Sequence, residues 1–242
     1  MANLRQKAVE NLALMFPEAI FYKPIAAPIV ALTIDDVPIP GESAPCPTRW
    51  ILDAIADHNQ SVSNSAEKAG ATFFIIGSHL NQDYDLLPDM IAQGHELANH
   101  GLVDTWPALQ SQVDFEHHFH GTHDRVIEQV PDYSLCWYRP GRAFYTPQMY
   151  QVIQQAGGYE PYFALASMLP IDTIAVTADP KFTAQYVAQH VFPGSILLLH
   201  GGSVERSKNT AAALRLILPN LRSQGYRITT LSALWRTTEN VE

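Results

Sequence analysis

The run Pro28-Ile-Val-Ala-Leu-Thr-Ile-Asp-Asp-Val-Pro38 constrains the fold most, because an uncharged apolar segment delivers two adjacent carboxylates. Such a run is typical of a strand that is covered on both faces in a parallel sheet. Asp35 and Asp36 follow at its C-terminal end, where α/β barrels and open sheets collect their ligand-binding groups. The pair therefore predicts either a functional site or an ordinary turn that caps a helix.

Short apolar segments alternate with helical patterns along the rest of the chain, which is typical of a parallel sheet. Further strands are predicted over residues 71–76, 96–100, 138–140, 162–166, 174–177, 195–200 and 227–229. Helices are predicted over residues 4–16, 49–58 with Thr48 as cap, 86–93, 111–129, 147–156, 182–191 and 209–224. The predicted fold class is α/β, with about seven parallel strands.

Five polar residues stand at C-terminal strand ends from widely separated parts of the chain: Asp35, Asp36, His100, Arg139 and His200. Closure of the sheet into a barrel is favoured, because a barrel readily brings so many strand ends to one mouth. With 242 residues and 47% hydrophobic composition, the chain suits one large domain over residues 28–242. Residues 1–27 are interpreted as a lead-in segment.

Composition and charge limit the partners and the compartment. The formal net charge of −9 leaves no broad basic surface, which argues against nucleic acid or an anionic membrane as a partner. No leader pattern or transmembrane run is visible, so a cytoplasmic location is expected, while the oligomeric state stays open. Cys46 and Cys136 exclude a disulfide framework, and two reduced thiols are favoured over a single bridge.

Asp36 or Asp35, with His100 and Asp104, offers an oxygen, nitrogen, oxygen ligand set that leaves coordination positions open. This set suits zinc, iron, manganese or cobalt held by three side chains and water. The second carboxylate of the pair would then be free to act as general base.

Two other strand-end residues complete the predicted chemistry. His200 is a candidate general acid, and Arg139 is a candidate partner that orients the base carboxylate. Each residue also has a structural alternative: a hydrogen-bonded histidine, a structural ion pair, or, for Asp104, a helix cap. Their joint placement favours the site. The histidine-rich segment 117–123 is interpreted as a solvent-facing polar helix instead of a metal site.

Four motifs then resemble one known family. Thr33-Ile-Asp-Asp-Val-Pro38 is similar to its first motif, usually Thr-Phe-Asp-Asp-Gly-Pro, and Gly94-His-Glu-Leu-Ala-Asn-His100 is similar to its second. Arg139-Pro-Gly-Arg142 resembles the third motif and Leu198-Leu-His200 the fifth. The family is that of the polysaccharide deacetylases with a NodB homology domain, carbohydrate esterase family four. The resemblance implies a deformed (β/α) barrel, a divalent metal, usually zinc, and hydrolysis of an N-acetyl group on an amino-sugar polymer.

The resemblance also implies roles for individual residues. Asp35 would be the general base, Asp36 and His100 metal ligands, and His200 the general acid. Arg139 would hold Asp35.

Two further positions follow from the same resemblance. The backbone amide of Arg142 would lie at the oxyanion position. The acid that steadies the general acid would be Asp172, with Asp179 as the alternative.

Three departures from the family pattern bear on function. Val37 replaces a glycine, Asp104 stands where a second metal-binding histidine is usual, and Gly141-Arg142 replaces Pro-Tyr. An Asp, His, Asp set would still bind a divalent metal, although its bound water would be less acidic. The leading prediction is a metal-dependent deacetylase acting on an N-acetylated glycan. The alternatives are a non-catalytic barrel that binds a glycan or protein, and an amidohydrolase acting on a non-sugar amide.

Overall fold

The computed structural model describes residues 4–41, 46–80, 85–174 and 178–238. Strands and helices alternate along these residues, as the sequence pattern predicts. The strands are β1 (Ala19–Ile20), β2 (Ile29–Val37), β3 (Ala71–Ile75), β4 (Glu96–Asn99), β5 (Phe163–Ala164), β6 (Ile196–His200) and β7 (Arg227–Thr229). The helices are α1 (Leu4–Met15), α2 (Pro47–Gln60), α3 (Leu86–Ala92), α4 (Gln112–Gln129), α5 (Pro147–Gln155), α6 (Pro180–His190), α7 (Val204–Ser223) and α8 (Leu231–Arg236).

Strand β2 is the centre of the sheet, and every one of its nine residues is buried. It pairs in parallel with β3 on one edge and with β6 on the other, while β7 pairs with its first three residues and β4 continues beyond β3. In the register of β2 and β6, Asp35 lies directly opposite His200. The central strand therefore brings two of the predicted site residues side by side through backbone pairing alone.

Isolated bridges carry the pairing around the sheet from β4. Asn99 bridges Tyr138, and Tyr138 bridges Phe163 of β5. Beyond β5, the N–H of Ser167 donates to the carbonyl of Ile196 in β6 over 3.0 Å. The architecture is a mixed α/β fold built on parallel strands, matching the predicted deformed (β/α) barrel class. The strand predicted over 138–140 is reduced to a single bridging residue.

The two faces of β2 pack against different parts of the core because its side chains alternate. Val30, Leu32 and Ile34 join a cluster with the covering helices, while Ile29 and Ala31 join a cluster on the opposite face. Thr33 and Asp35 continue the face of Ala31. They therefore lie on the same side of the sheet as the cluster that contains Ile29 and Ala31.

Several predicted boundaries were wrong, for local reasons. Helix α2 begins at Pro47, so Cys46, not Thr48, occupies the N-cap position. Helix α7 begins at Val204, five residues before the predicted start, because the Ser203 side chain accepts from the N–H of Arg206 and caps it. Only the first residue of the strand predicted over 174–177 is described, so this strand lies outside the described residues.

The segment predicted as a lead-in contributes to the sheet. Strand β1 pairs in parallel with β5, and Tyr22 forms an antiparallel bridge with Ser195. None of the helices within the described part of the chain combines the length and apolar content needed to cross a bilayer. Cys46 and Cys136 are not joined by a disulfide.

Candidate active site

The strand-end residues predicted as a site meet in one cavity of about 760 Å³. Its lining includes Asp35, Asp36, His100, Arg139 and His200. The predicted convergence of separate strand ends is therefore observed, although the role of each side chain stays a prediction. Three pairs of side chains form the site: Asp35 with Arg139, His200 with Asp172, and the candidate metal ligands Asp36 and His100.

Arg139 is buried to 3% exposure and forms an ion pair with Asp35, Nη1 to Oδ1, over 2.6 Å. The same nitrogen donates to Thr33 Oγ1, while Nε donates to the Ala164 carbonyl and Nη2 to that of Leu165. A buried charge needs a counter-charge and hydrogen-bond acceptors, and Arg139 has both. This network fixes the orientation of the Asp35 carboxylate.

Asp36 lies in the left-handed region with φ of 65°, which turns its side chain away from the strand alternation. Gly202 packs directly against this turn. Any larger residue at position 202 would clash, because its Cβ would lie 2.7 Å from Asp36 Cβ. Asp36 contacts His100 over 3.3 Å and Arg206 over 3.3 Å. Burial acts to raise the pKa of Asp36, but its hydrogen bond with His100 and the charges of His100, His200 and Arg206 outweigh burial and hold it well below its usual value.

The His100 ring is oriented by the backbone. Its Nδ1 lies 2.8 Å from the carbonyl oxygen of Arg139, so Nδ1–H donates and Nε2 faces the carboxylates. Nε2 is 3.3 Å from Asp36 and 3.7 Å from Asp35. Burial lowers the pKa of His100, and the two carboxylates more than reverse this, so the net shift is upward. A nitrogen lone pair facing carboxylate oxygens requires a cation between them, either a proton or a metal ion.

Asp36 and His100 therefore fit a cation site, but Asp104 does not join them. Arg142 Nη2 lies 2.9 Å from Asp104 Oδ1 and 3.1 Å from Oδ2, and both side chains are 43% exposed. Nowhere in the described ranges do three His, Cys, Asp or Glu side chains converge as a metal-binding group. Asp104, the third member of the predicted set, is paired with the Arg142 guanidinium, and its role as a metal ligand stays a prediction. Helix capping is not its role, since the next short helix is preceded by Trp106.

The second buried pair joins His200 to Asp172. His200 Nδ1 lies 3.0 Å from Asp172 Oδ1, and the backbone N–H of His200 donates to Oδ2 over 2.7 Å. Burial lowers the pKa of His200, and the hydrogen bond and charge of Asp172, with the charges of Asp35 and Asp36, raise it above the ordinary value overall. Nε2 is left to face the cavity.

The alternative acid, Asp179, lies outside this site. Its side chain accepts from the N–H groups of Lys181 and Phe182 and caps helix α6. The sequence carried this signal, since Pro180 follows Asp179 and proline is favoured in the first turn of a helix. Of the two candidate acids, Asp172 alone contacts His200.

Replacing Asp172 with asparagine should lower the free energy of unfolding by about 1.5–3 kcal/mol at mildly acidic pH. The folded-state pKa of His200 is raised. The stability it contributes is therefore complete below its unfolded pKa of about 6.5 and is lost as pH rises through the folded pKa. Denaturant unfolding from about pH 6 to about pH 10 should show the difference between wild type and D172N shrinking. The matched control, D179N, should show no such dependence, and an equal loss at every pH in D172N would contradict the assignment.

Several residues at the site were not anticipated from the sequence. Thr33 accepts from Arg139, and Arg206 contacts Asp36 from the first turn of α7. The Ser203 cap is the signal that would have placed Arg206 at a helix start beside the mouth. Trp106 and Phe144 also line the cavity, and nothing in their spacing marked them as partners.

The arrangement of these side chains suits acid–base hydrolysis of an amide or ester bond. A carboxylate oriented by a buried arginine lies beside a histidine whose pKa is raised by an aspartate. Two groups with opposite proton-transfer tasks in one cavity are the usual requirement for cleaving an amide or ester.

Several known proteins are similar to this chain in sequence or in fold. A family model described as polysaccharide deacetylase matches residues 23–160. The chain is 30% identical over 210 residues to a peptidoglycan-N-acetylglucosamine deacetylase of Bacillus cereus, covering 86% of this chain and 88% of that protein. It is 28% identical over 214 residues to a chitooligosaccharide deacetylase of Sinorhizobium fredii, covering 85% and 91% respectively. Among solved structures, a family 4 acetyl xylan esterase from Clostridium thermocellum in complex with a cobalt ion aligns with a TM-score of 0.70 at 23% identity, covering 86% of this chain and 90% of that one.

Proposed function

Because the chain belongs to the polysaccharide deacetylase family, we propose that it is a metal-dependent hydrolase removing N-acetyl groups from an amino-sugar polymer or oligomer. Named relatives act on peptidoglycan N-acetylglucosamine and on chitooligosaccharides. The observation that carries the proposal is the meeting of the Asp35–Arg139 and His200–Asp172 pairs in one cavity with Asp36 and His100.

In the proposed reaction, Asp35 removes a proton from the attacking water, whose oxygen adds to the carbonyl carbon of the acetamido group. Arg139 holds the carboxylate in place. Arg139 donates four hydrogen bonds, three of them to oxygens outside Asp35. These bonds fix the guanidinium, so it would not move to contact the substrate. The backbone amide of Arg142 is proposed to stabilise the oxyanion.

His200 is proposed to protonate the amine nitrogen as the carbon–nitrogen bond breaks, which releases acetate and a free amino sugar. Its raised pKa favours the protonated ring, which is the form that a general acid requires. Asp172 accepts from Nδ1–H and so leaves the Nε2 proton for transfer.

The family's deacetylases are metal-dependent. Asp36 and His100 are the residues that would hold a divalent ion, and zinc is proposed, with cobalt, manganese or iron as substitutes. When bound, such an ion polarises the acetamide carbonyl and makes water more acidic. The partly exposed Arg206 beside Asp36 would have to share that carboxylate with the ion.

Acetate release from chitin oligomers and peptidoglycan fragments tests the function directly. The protein should be inactive after chelation and regain turnover with zinc or cobalt, and metal analysis should then find the ion bound. If no divalent metal restores turnover on a broad panel while circular dichroism reports an intact fold, the proposal fails. Binding of a chitin tetramer without turnover would instead support the non-catalytic, glycan-binding alternative.

A further inference from the structure

Two aromatic side chains are exposed at the mouth of the cavity. Trp106 and Phe144 stack with ring centroids 5.7 Å apart and planes inclined by 22°, while 47% and 59% of these residues remain exposed. Both line the cavity that contains Asp35 and His200. Large aromatic rings left half exposed beside a polar site are a common feature of binding surfaces.

The loop that carries Phe144 is strained. Arg142 and Ala143 are consecutive non-glycine residues in the left-handed region, both with φ of 63°. Such backbone persists only where the surrounding structure enforces it, and it concentrates at functional sites. Without this double left-handed turn, the chain after Gly141 would take a different course. The strained backbone at Arg142 and Ala143 therefore positions the Phe144 ring.

Two contacts join this loop to the loop carrying Trp106. Gly141 packs so closely that a Cβ at this position would lie 2.7 Å from the carbonyl oxygen of Thr105. Asp104 and Arg142 add the ion pair between the same two loops, at 2.9 Å. The aspartate that stands where the family usually has a histidine thus connects the two loops that bear the aromatic rings.

We infer that Trp106 and Phe144 form a platform for the sugar ring next to the reacting unit, and that Asp104 and Arg142 are the pair that positions it. The inference rests on the proposed function. A pyranose with equatorial substituents presents a flat face of C–H groups, which suits an aromatic surface, whereas its hydroxyl rim remains in water. The cavity runs from this platform to the acid–base residues. The proposed occupant is therefore a β-linked amino-sugar oligomer, with its reacting unit at Asp35 and His200 and the neighbouring unit on the platform.

Chain-length dependence of turnover tests the platform. For Trp106→Ala and Phe144→Ala, kcat/KM on chitin tetramer should fall about tenfold, mainly through KM. Turnover of the N-acetylglucosamine monomer should change less than about twofold, because it does not engage the platform. Trp50→Ala is the matched control, since Trp50 is 40% exposed on α2 and does not line the cavity.

Asp104 variants separate positioning from metal binding. Asp104→Asn should raise KM for the tetramer without changing kcat on the monomer or the bound metal content. Asp104→Glu, which keeps the charge, should restore part of the tetramer affinity. Loss of metal in Asp104→Asn would overturn the positioning role, and equal effects on monomer and tetramer in the aromatic variants would overturn the platform.

Failure of the proposed function can be told apart from failure of the platform. If wild type turns over acetylated sugars but the aromatic variants keep a normal KM for the tetramer, the platform is wrong and the function stands. If wild type turns over nothing, calorimetry with the tetramer decides. Binding that is lost in Trp106→Ala supports the platform, whereas absent binding, or binding that survives the substitution, overturns it.

Discussion

Asp35→Asn should reduce acetate release by at least about 10³-fold while metal content stays nearly unchanged. The amide has no proton-accepting oxygen of suitable basicity, so water would no longer be activated. Asparagine matches aspartate in shape and can still accept from Arg139 Nη1, which lies 2.6 Å from the carboxylate in the wild type. Comparing wild type with Asp35→Asn therefore tests the basicity of the side chain while its shape and position are kept.

The control for this variant is Asp57→Asn. Asp57 is an exposed carboxylate, paired with Arg215 over 3.2 Å, and does not line the cavity. It should keep full activity. Thermal unfolding must show that Asp35→Asn remains folded, because its Arg139 neighbour loses a buried counter-charge. Retention of more than about a tenth of wild-type kcat would show that Asp35 is not the general base.

Arg139→Met should lower the free energy of unfolding by about 3–5 kcal/mol, because it leaves the Asp35 carboxylate buried without its partner. The Ala164 and Leu165 carbonyls would lose their donors as well. Urea unfolding of the purified variant measures the loss.

Arg215→Met provides the matched comparison for Arg139→Met. Its ion pair with Asp57 is about half exposed, so its removal should cost no more than about 1 kcal/mol. The double variant Asp35→Asn, Arg139→Met should be more stable than the sum of the single effects implies, because it removes both charges. A loss in Arg139→Met as small as that in Arg215→Met would contradict a buried, coupled pair.

The sheet could be predicted from the sequence because its signals are local. The uncharged run before Asp35 is typical of a buried strand. In a parallel fold the C-terminal ends of the strands lie at one edge, so the residues at these ends are expected to lie close together. His100, Arg139 and His200 could be expected near Asp35 for that reason alone. No pairing between specific side chains was needed to reach this prediction.

The contacts of Asp104 could not be predicted in the same way. Its ion pair depends on Arg142, which is 38 positions away and lies in a left-handed conformation that no sequence pattern of non-glycine residues signals. The motif position predicts a metal ligand, whereas the structure shows an ion pair between Asp104 and Arg142. The stacking of Trp106 and Phe144 could not be predicted for the same reason, since it depends on that loop.

Helix starts explain the other differences. Ser203 caps α7 and brings Arg206 to Asp36, whereas the apolar pattern alone predicts a helix that begins at residue 209. Asp179 is the alternative acid in the sequence, but it caps α6, as the proline after it indicates. In both cases the capping side chain, and not the apolar periodicity, determined where the helix began.

The register that sets Asp35 opposite His200 has an evolutionary consequence. The spacing between proposed base and proposed acid is set by the central ladder of backbone hydrogen bonds, including the one from Gly201 N–H to the Asp35 carbonyl at 2.8 Å. Loops around the mouth can lengthen, shorten or change sequence without altering that spacing. A lineage built on this scaffold can therefore exchange one glycan for another by loop divergence while its proton-transfer machinery is inherited intact.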